Sequence, residues 1–233
     1  MNYTFLCDFD GTVTREDVID RMLEVFADPS WMEIEQSWIR GDIGSRDCLD
    51  LQIRLVKAEE SELFALVETI EIDESFVDFT RYCHSKAIEV VILSDGIDLF
   101  IHSILGRYGL DHLRVYANRL RKVAEGFEMT FPYFREECQS QSGLCKCKIM
   151  EKLSRPIHRN VLVGDGHSDF CLADKVDLTF AKSSLLTFCR TKRLAHKSFN
   201  DFKEVTEWLS ENELQERESF PAESSVRYGG NMK

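Results

Sequence analysis

Asp8 and Asp10 stand one residue apart where the short apolar run Tyr3-Thr4-Phe5-Leu6-Cys7 ends. Alternate side chains of a strand share a face, so the two carboxylates point together and Phe9 points away. Gly11 permits a sharp turn, and Thr12 adds a hydroxyl beside the carboxylates. Two close negative charges are costly unless a cation, a proton or hydrogen bonds compensate them. The pair therefore points to a magnesium site with a nucleophile beside it, against the alternative of a solvated turn at a strand end.

Three further groups could serve the same chemistry. Ser94-Asp95-Gly96 follows an apolar run over 88–93 and offers a hydroxyl and backbone N–H groups to a phosphate oxygen, or is an ordinary turn. Gly164-Asp165-Gly166-His167-Ser168-Asp169 follows another apolar run. Asp165 can ligate a hard cation, and Asp169 can add a ligand, orient one, or stabilise the next helix. Lys146 or Lys148 can supply the fixed cation that a phosphate beside a carboxylate nucleophile needs.

These groups must be held by the elements around them. The spacing predicts strands over 88–93, 113–117, 160–164 and 178–181, alternating with helices over 74–86, 97–107, 149–153, 168–175, 184–193 and 201–211. A hairpin is expected within 122–131. Such alternation argues an α/β fold with a parallel sheet and helices on both faces. Ligands in such sheets bind beyond the carboxyl ends of the strands, where all four groups fall. Between the first strand and the rest lie helices only: one capped by Thr14 and starting at Arg15, then 31–39, 45–58 and 61–70. The expected division is a core of 1–13 and 74–212, a helical cap of 14–73, and a polar tail of 213–233 that is expected to be disordered.

Of the 233 residues 43% are hydrophobic and 30% charged, and the net charge is −12. That charge repels nucleic-acid phosphates and anionic membranes, so neither is an expected partner, while a metal and a few cations still allow a small anionic substrate. Without a membrane-length apolar run or a leader-like start, the expected location is the cytoplasm. There are eight cysteines. Five read as small buried hydrophobes, whereas Cys138, Cys145 and Cys147 crowd together, leaving open a zinc site with His158 as fourth ligand.

Taken in order, Asp-Phe-Asp-Gly-Thr, Leu-Ser-Asp-Gly, Lys and Gly-Asp-x-x-x-Asp resemble the haloacid dehalogenase superfamily of phosphatases. The resemblance runs from Tyr3 to about Phe180 and implies a Rossmann-like core. The inserted helices resemble the cap of the phosphoserine-phosphatase-like branch. Residues 14–17, Pro29-Ser30-Trp31-Met32 and Gly-Leu-Cys-Lys look most like the methionine-salvage phosphatases of that branch.

By that resemblance, Asp8 is the nucleophile and Asp10 the general acid and base. Magnesium is held by Asp8, the Asp10 carbonyl and Asp165, with Asp169 beside them. Ser94, Asp95 and Gly96 hold the phosphoryl oxygens. Lys146 is the catalytic cation, with Lys148 as the alternative near the substrate. Asp17 matches a position that holds a substrate ammonium in serine phosphatase relatives, and helix capping is its other reading. Trp31, Met32 and Trp38 are either cap core or the lining of a thioether pocket; Arg40 and Arg46 either meet an anionic group or are solvated. The implied reaction is magnesium-dependent hydrolysis of a small phosphorylated metabolite of the methylthiopentenyl type. Phosphoserine or phosphocholine hydrolysis, phosphoryl transfer to another acceptor, and binding without turnover are the alternatives. Oligomeric state is not indicated.

Overall fold

The computed structural model describes residues 2–138 and 140–219. Strand β1 (Tyr3–Cys7) is buried at every position. Its alternation divides it between two cores. Tyr3, Phe5 and Cys7 join Val90, Ile92, Val161 and Val163 on one face, and Leu6 joins Val91, Leu93 and Leu162 on the other. A strand covered on both sides has no polar face to show, so these segments read as continuous apolar runs.

Six more described strands are β2 (Glu89–Ile97), β3 (Arg114–Val123), β4 (Gly126–Thr130), β5 (Arg159–Gly164), β6 (Leu178–Ala181) and β7 (His196–Ser198). The sheet order is β4-β3-β2-β1-β5-β6-β7. Every pairing is parallel except the β3–β4 hairpin. Because β1 lies between β2 and β5, the chain changes direction of travel across the sheet there. That opens a crevice at the carboxyl ends of these strands.

The helices α1 (Val18–Phe26), α2 (Trp31–Ile39), α3 (Ser45–Ile53) and α4 (Glu60–Val67) come between β1 and the helix α5 (Ser75–Ser85). The others are α6 (Asp98–Arg107), α7 (Lys146–Leu153), α8 (Phe170–Ala173), α9 (Ser183–Lys192) and α10 (Phe202–Ser219). Phe76 and Phe79 of α5, Ile101 and Ile104 of α6, and Phe202 and Val205 of α10 fill the first core. Ile149, Leu172, Leu185 and Cys189 from α7, α8 and α9 fill the second. The chain leaves for α1 and returns side by side, with Arg15 N–H donating to Glu71 O at 3.1 Å and Asp73 N–H to Val13 O at 2.8 Å. Met22, Leu23, Ile53, Leu63 and Val67 extend the first core into these helices. Side chains of this size contribute about 1.5–3 kcal/mol each on full burial, against about 0–1 kcal/mol for an exposed ion pair. Apolar contact is therefore what fastens α1–α4 down.

Several expectations need correction. Thr14 does not cap a helix starting at Arg15. It accepts from Gly11 N–H at 3.2 Å and donates to Glu16 O at 2.8 Å, while Asp17 caps α1 by accepting from Asp20 N–H at 3.0 Å. The helix expected to reach 58 ends at Ile53, and the strand expected over 113–117 continues to Val123 to form the hairpin. Ser94-Asp95-Gly96 is not a turn after a strand: β2 runs through it to Ile97, with its register against β3 shifting between Leu93 and Ile97. Such a bulge re-aims side chains at a sheet's end. A 3-10 turn (His167–Asp169) precedes the single-turn α8, and β7 was not anticipated. The last helix reaches Ser219, into the stretch expected to be a tail from 213; residues 220–233 lie outside the described residues.

Candidate active site

Asp8 prolongs the ladder of β1, its N–H donating to Val163 O of β5 at 2.9 Å, which sets this carboxylate against the end of β5. The chain then turns at Gly11, whose φ of +67° suits glycine. A Cβ there would also stand 3.0 Å from Asp165 Oδ2. Thr12 Oγ1 donates to Asp165 Oδ1 at 3.3 Å, so the first and last acidic motifs are joined directly.

Lys146, the first residue of α7, has no exposed side-chain surface. Its Nζ donates to Asp8 Oδ1 at 2.8 Å and Asp169 Oδ1 at 2.5 Å. Burial pulls this lysine down, but Asp169 and Asp8 outweigh it and hold it above its ordinary value. Lys148 does not line the cavity described below. Asp169 is fully buried and does not line it either; its visible work is to hold Lys146.

Asp10 is the meeting point of two parts of the molecule. Its Oδ1 accepts from the N–H of Val18 at the start of α1 (3.2 Å), and its Oδ2 from Ser94 Oγ (3.0 Å). Ser94 Oγ in turn accepts from Gly96 N–H at 2.8 Å. The Ser94 hydroxyl thus orients Asp10 from a fully buried position, while Gly96 and Asp95 reach the cavity. Asp95 ties elements together: Oδ1 accepts from Leu144 N–H at 2.7 Å and Oδ2 from Ser45 Oγ of α3 at 3.1 Å.

Carboxylate oxygens of Asp8, Asp165 and Asp169 lie within 4.8 Å of one another. Burial, then the charge of Asp8, pushes Asp10 up to about 7 and Asp165 up to about 6. Burial pushes Asp169 up to about 7 despite Lys146 beside it. Four carboxylates facing one buried lysine leave an excess of negative charge. Hard oxygen donors with that excess of negative charge fit a magnesium ion, with Asp8 and Asp165 the two of the acidic trio that reach the cavity.

That cavity measures 360 Å³ and lies between the crevice and α1–α3. Asp17, Asp20, Glu35, Trp38 and Gln52 form its far side, and among the described residues no lysine or arginine lines it. Glu35 Oε2 accepts from Gln52 Nε2 at 2.9 Å. Burial, then Asp10, raises Asp17 well above the usual carboxylate range, so it caps α1 and faces the cavity at once. The Trp38 ring centre stands 5.5 Å from that of His167, closing the space between helix and crevice. Sequence reasoning missed Asp20, Glu35 and Gln52. Only the acidic pair three residues apart at the start of α1, the cap Asp17 and Asp20, carried a signal. Trp31 packs on the core and Met32 is exposed, so neither joins Trp38 in the lining. Arg40 pairs with Asp42, and Arg46 pairs with Asp47 and lies over the Phe134 ring.

The cysteines also regroup. Cys138, Cys145 and Cys147 border a second cavity with Cys171, which sequence reasoning left apart from them. His158 does not join them; its Nδ1 lies 3.5 Å from Thr4 Oγ1, near the amino ends of the strands.

The family model described as Putative Phosphatase matches residues 4–218. A 2-hydroxy-3-keto-5-methylthiopentenyl-1-phosphate phosphatase of Bacillus pumilus is 30% identical over 215 residues, covering 87% of this chain and 93% of the relative. An Exiguobacterium protein of the same name is 27% identical over 213 residues, covering 90% and 98%. Among solved structures, a phosphoserine phosphatase carrying a phospho-aspartyl intermediate analogue shares the fold with a TM-score of 0.68 at 20% identity, covering 89% of this chain and 98% of that one.

Proposed function

This chain belongs to the Putative Phosphatase family, within the haloacid dehalogenase superfamily, and from that premise we propose that it hydrolyses a small phosphomonoester through Asp8. The observation that carries the reading is the buried Lys146 Nζ held between Asp8 and Asp169, with the clamped carboxyl of Asp10 beside it. Lys146 offsets charge next to Asp8, whose carboxylate attacks phosphorus to form an aspartyl phosphate. Asp10, pushed up to about 7, retains a proton near neutral pH. It gives that proton to the leaving oxygen and then takes one from the attacking water. Magnesium held by Asp8, Asp165 and the Asp10 carbonyl supplies, when bound, charge compensation for the transferring phosphoryl group. Asp169 acts through Lys146, Ser94 acts through Asp10, and the Asp95 and Gly96 backbone faces the phosphoryl oxygens.

The proposed architecture is a core of 1–13 and 74–212 with 14–73 as the cap that selects substrate. The proposed substrate is the one in the relatives' name, 2-hydroxy-3-keto-5-methylthiopentenyl-1-phosphate. Ile19, Leu49 and Trp38 offer apolar surface for a methylthio group. With no lysine or arginine among the described lining residues, none of them offers a phosphoserine carboxylate a lysine or arginine partner. One observation favours a second reading: Asp17, Asp20 and Glu35 together suit a cationic end such as that of phosphocholine. The chain is proposed to work in the cytoplasm, without nucleic-acid or membrane partners. Among the described residues no helix is long and apolar enough to cross a membrane.

The test is phosphate release from these three substrates and an aryl phosphate, with magnesium and with chelator, for the wild type and Asp8→Asn. Magnesium-dependent turnover lost in the variant supports the mechanism, and the preferred substrate decides between the two readings. Release only with an added acceptor would make it a transferase. Folded, metal-loaded protein that releases nothing would make it a binding protein.

A further inference from the structure

Cys147 and Cys171 place their sulfurs 3.4 Å apart across the gap between α7 and α8. Each lies close to a proposed catalytic group: Lys146 directly precedes Cys147, and Asp169 stands just upstream of Cys171. Both cysteines line the second cavity, of 640 Å³, which meets the first at Trp38 and His167. Its walls include the exposed Lys175 and Lys192, so small solutes reach it from solvent.

The alternatives within the cluster are weaker. Ser140 Oγ stands between Cys138 and Cys171, 3.3 Å from one sulfur and 3.7 Å from the other. Among the described residues, three His, Cys, Asp or Glu ligand atoms converge within 4.8 Å of one another at Asp8, Asp165 and Asp169, and at no trio of these thiols. A tetrahedral thiolate site needs such convergence. What remains is a close pair.

We propose that Cys147 and Cys171 form a thiol oxidation site at which a hydroperoxide closes a disulfide and reversibly slows the adjacent active site. Cys147 sulfur, as thiolate, attacks one peroxide oxygen. The O–O bond breaks, Cys147 becomes a sulfenic acid, and the departing oxyanion takes up a proton to leave as water or alcohol. Cys171 sulfur then attacks the Cys147 sulfur, the S–O bond breaks, and hydroxide leaves as water with the Cys171 proton. Two thiols are oxidised and one hydroperoxide is reduced. The hydrogen bond between the thiols, helped by Lys175 and opposed by burial, holds Cys147 below its ordinary value, which favours it as the attacking partner.

A disulfide is about 2.05 Å long, so the two sulfurs, now 3.4 Å apart, must draw together and pull on the segments that carry them. Lys146 and Asp169 ride on those segments, and their contacts leave little slack. A catalytic group misplaced by about 1 Å can cost on the order of a hundredfold in rate. This coupling rests on the phosphatase reading; the crosslink itself does not.

The experiment treats full-length, magnesium-loaded protein with hydrogen peroxide, maps crosslinks by mass under non-reducing conditions, and follows aryl phosphate hydrolysis before and after dithiothreitol. The expected result is a Cys147–Cys171 crosslink with about tenfold or greater loss of turnover, restored by the reductant. Cys147→Ser, Cys171→Ser and Cys171→Ala should stay active and resist the loss, while Cys138→Ser should remain sensitive. No crosslink, a crosslink that joins Cys138 or Cys145 instead, or full turnover by crosslinked protein would overturn the proposal. An untreated protein without turnover would count against the phosphatase reading alone, and the mass map would still decide the thiol pair.

Discussion

Lys146 Nζ meets Asp169 Oδ1 at 2.5 Å, and neither side chain has any exposed surface. A lysine so placed is part of the fold as well as of the proposed chemistry. Removing it leaves Asp8 and the fully buried Asp169 without their cation, which makes the pair hard to replace singly.

Lys146→Met keeps the apolar stem and deletes the charge. Stability should fall by about 3–5 kcal/mol, as for other broken buried ion pairs. Turnover should fall by on the order of 10²–10³-fold. Denaturant unfolding and steady-state kinetics check both; a stable variant with normal kcat would remove this lysine from the site.

Asp10→Asn keeps one acceptor oxygen for Val18 N–H, turns the group facing Ser94 Oγ into a donor, and cannot donate a proton as an acid. With alkyl phosphates, kcat should drop by about 10²–10⁴-fold. Aryl phosphates, whose leaving groups need less protonation, should lose less. Equal losses on both substrates would argue that Asp10 does not serve as the acid.

Gly96→Ala tests the space around that carboxyl. A Cβ at Gly96 would stand 2.5 Å from Asp10 Oδ2 and 3.0 Å from Ser94 Oγ. Because Asp10 is held from two sides, it cannot swing clear without losing a hydrogen bond. We expect about tenfold or greater loss of kcat, with KM for a poor substrate changing less. An alanine variant with unchanged kcat would show that Asp10 has room to move.

Metal dependence should vary with pH. In the metal-free fold Asp10 and Asp169 sit at about 7 and Asp165 at about 6. Unfolded aspartate titrates near about 3.9. Between those values the folded chain binds more protons than the unfolded one, so these groups lower stability as pH rises from about 4 to about 7. Magnesium takes the place of the protons and should bind better above about pH 7 than below about pH 6. In thermal melts, saturating magnesium should raise Tm by about 5 °C or more near pH 7.5 and by much less near pH 5.5. An equal rise at both pH values would contradict the excess of negative charge described for the site.

Glu35→Gln and Asp20→Asn probe the far wall of the cavity. If the substrate is the methylthiopentenyl phosphate, either change should move KM by less than about threefold. If its free end is cationic, KM should rise by about tenfold, the worth of one lost charge-assisted contact. Kinetics on phosphocholine and on the methylthiopentenyl phosphate separate the two.

Much of this was legible from local patterns. Asp8 and Asp10 are separated by one residue, and the alternation of an extended chain puts both on one cavity while Phe9 enters the core. Runs such as Val90-Val91-Ile92-Leu93, rich in β-branched residues, read as strands buried on both faces and point to a parallel sheet, and the strand-free stretch after β1 holds the helices α1–α4. Other features depend on how separate elements dock. Lys146 and Lys148 lie on one helix two residues apart, so they point to different sides, and only the seating of α7 against β1 and α8 decides which meets Asp8. Glu35 and Gln52 belong to different helices whose mutual packing brings them together. Cys171 is 24 residues from Cys147 and becomes its neighbour only because α8 folds back across α7. Spacing along a chain reports which side chains share a face of one element; which faces meet is settled by the packing of whole elements around the cores.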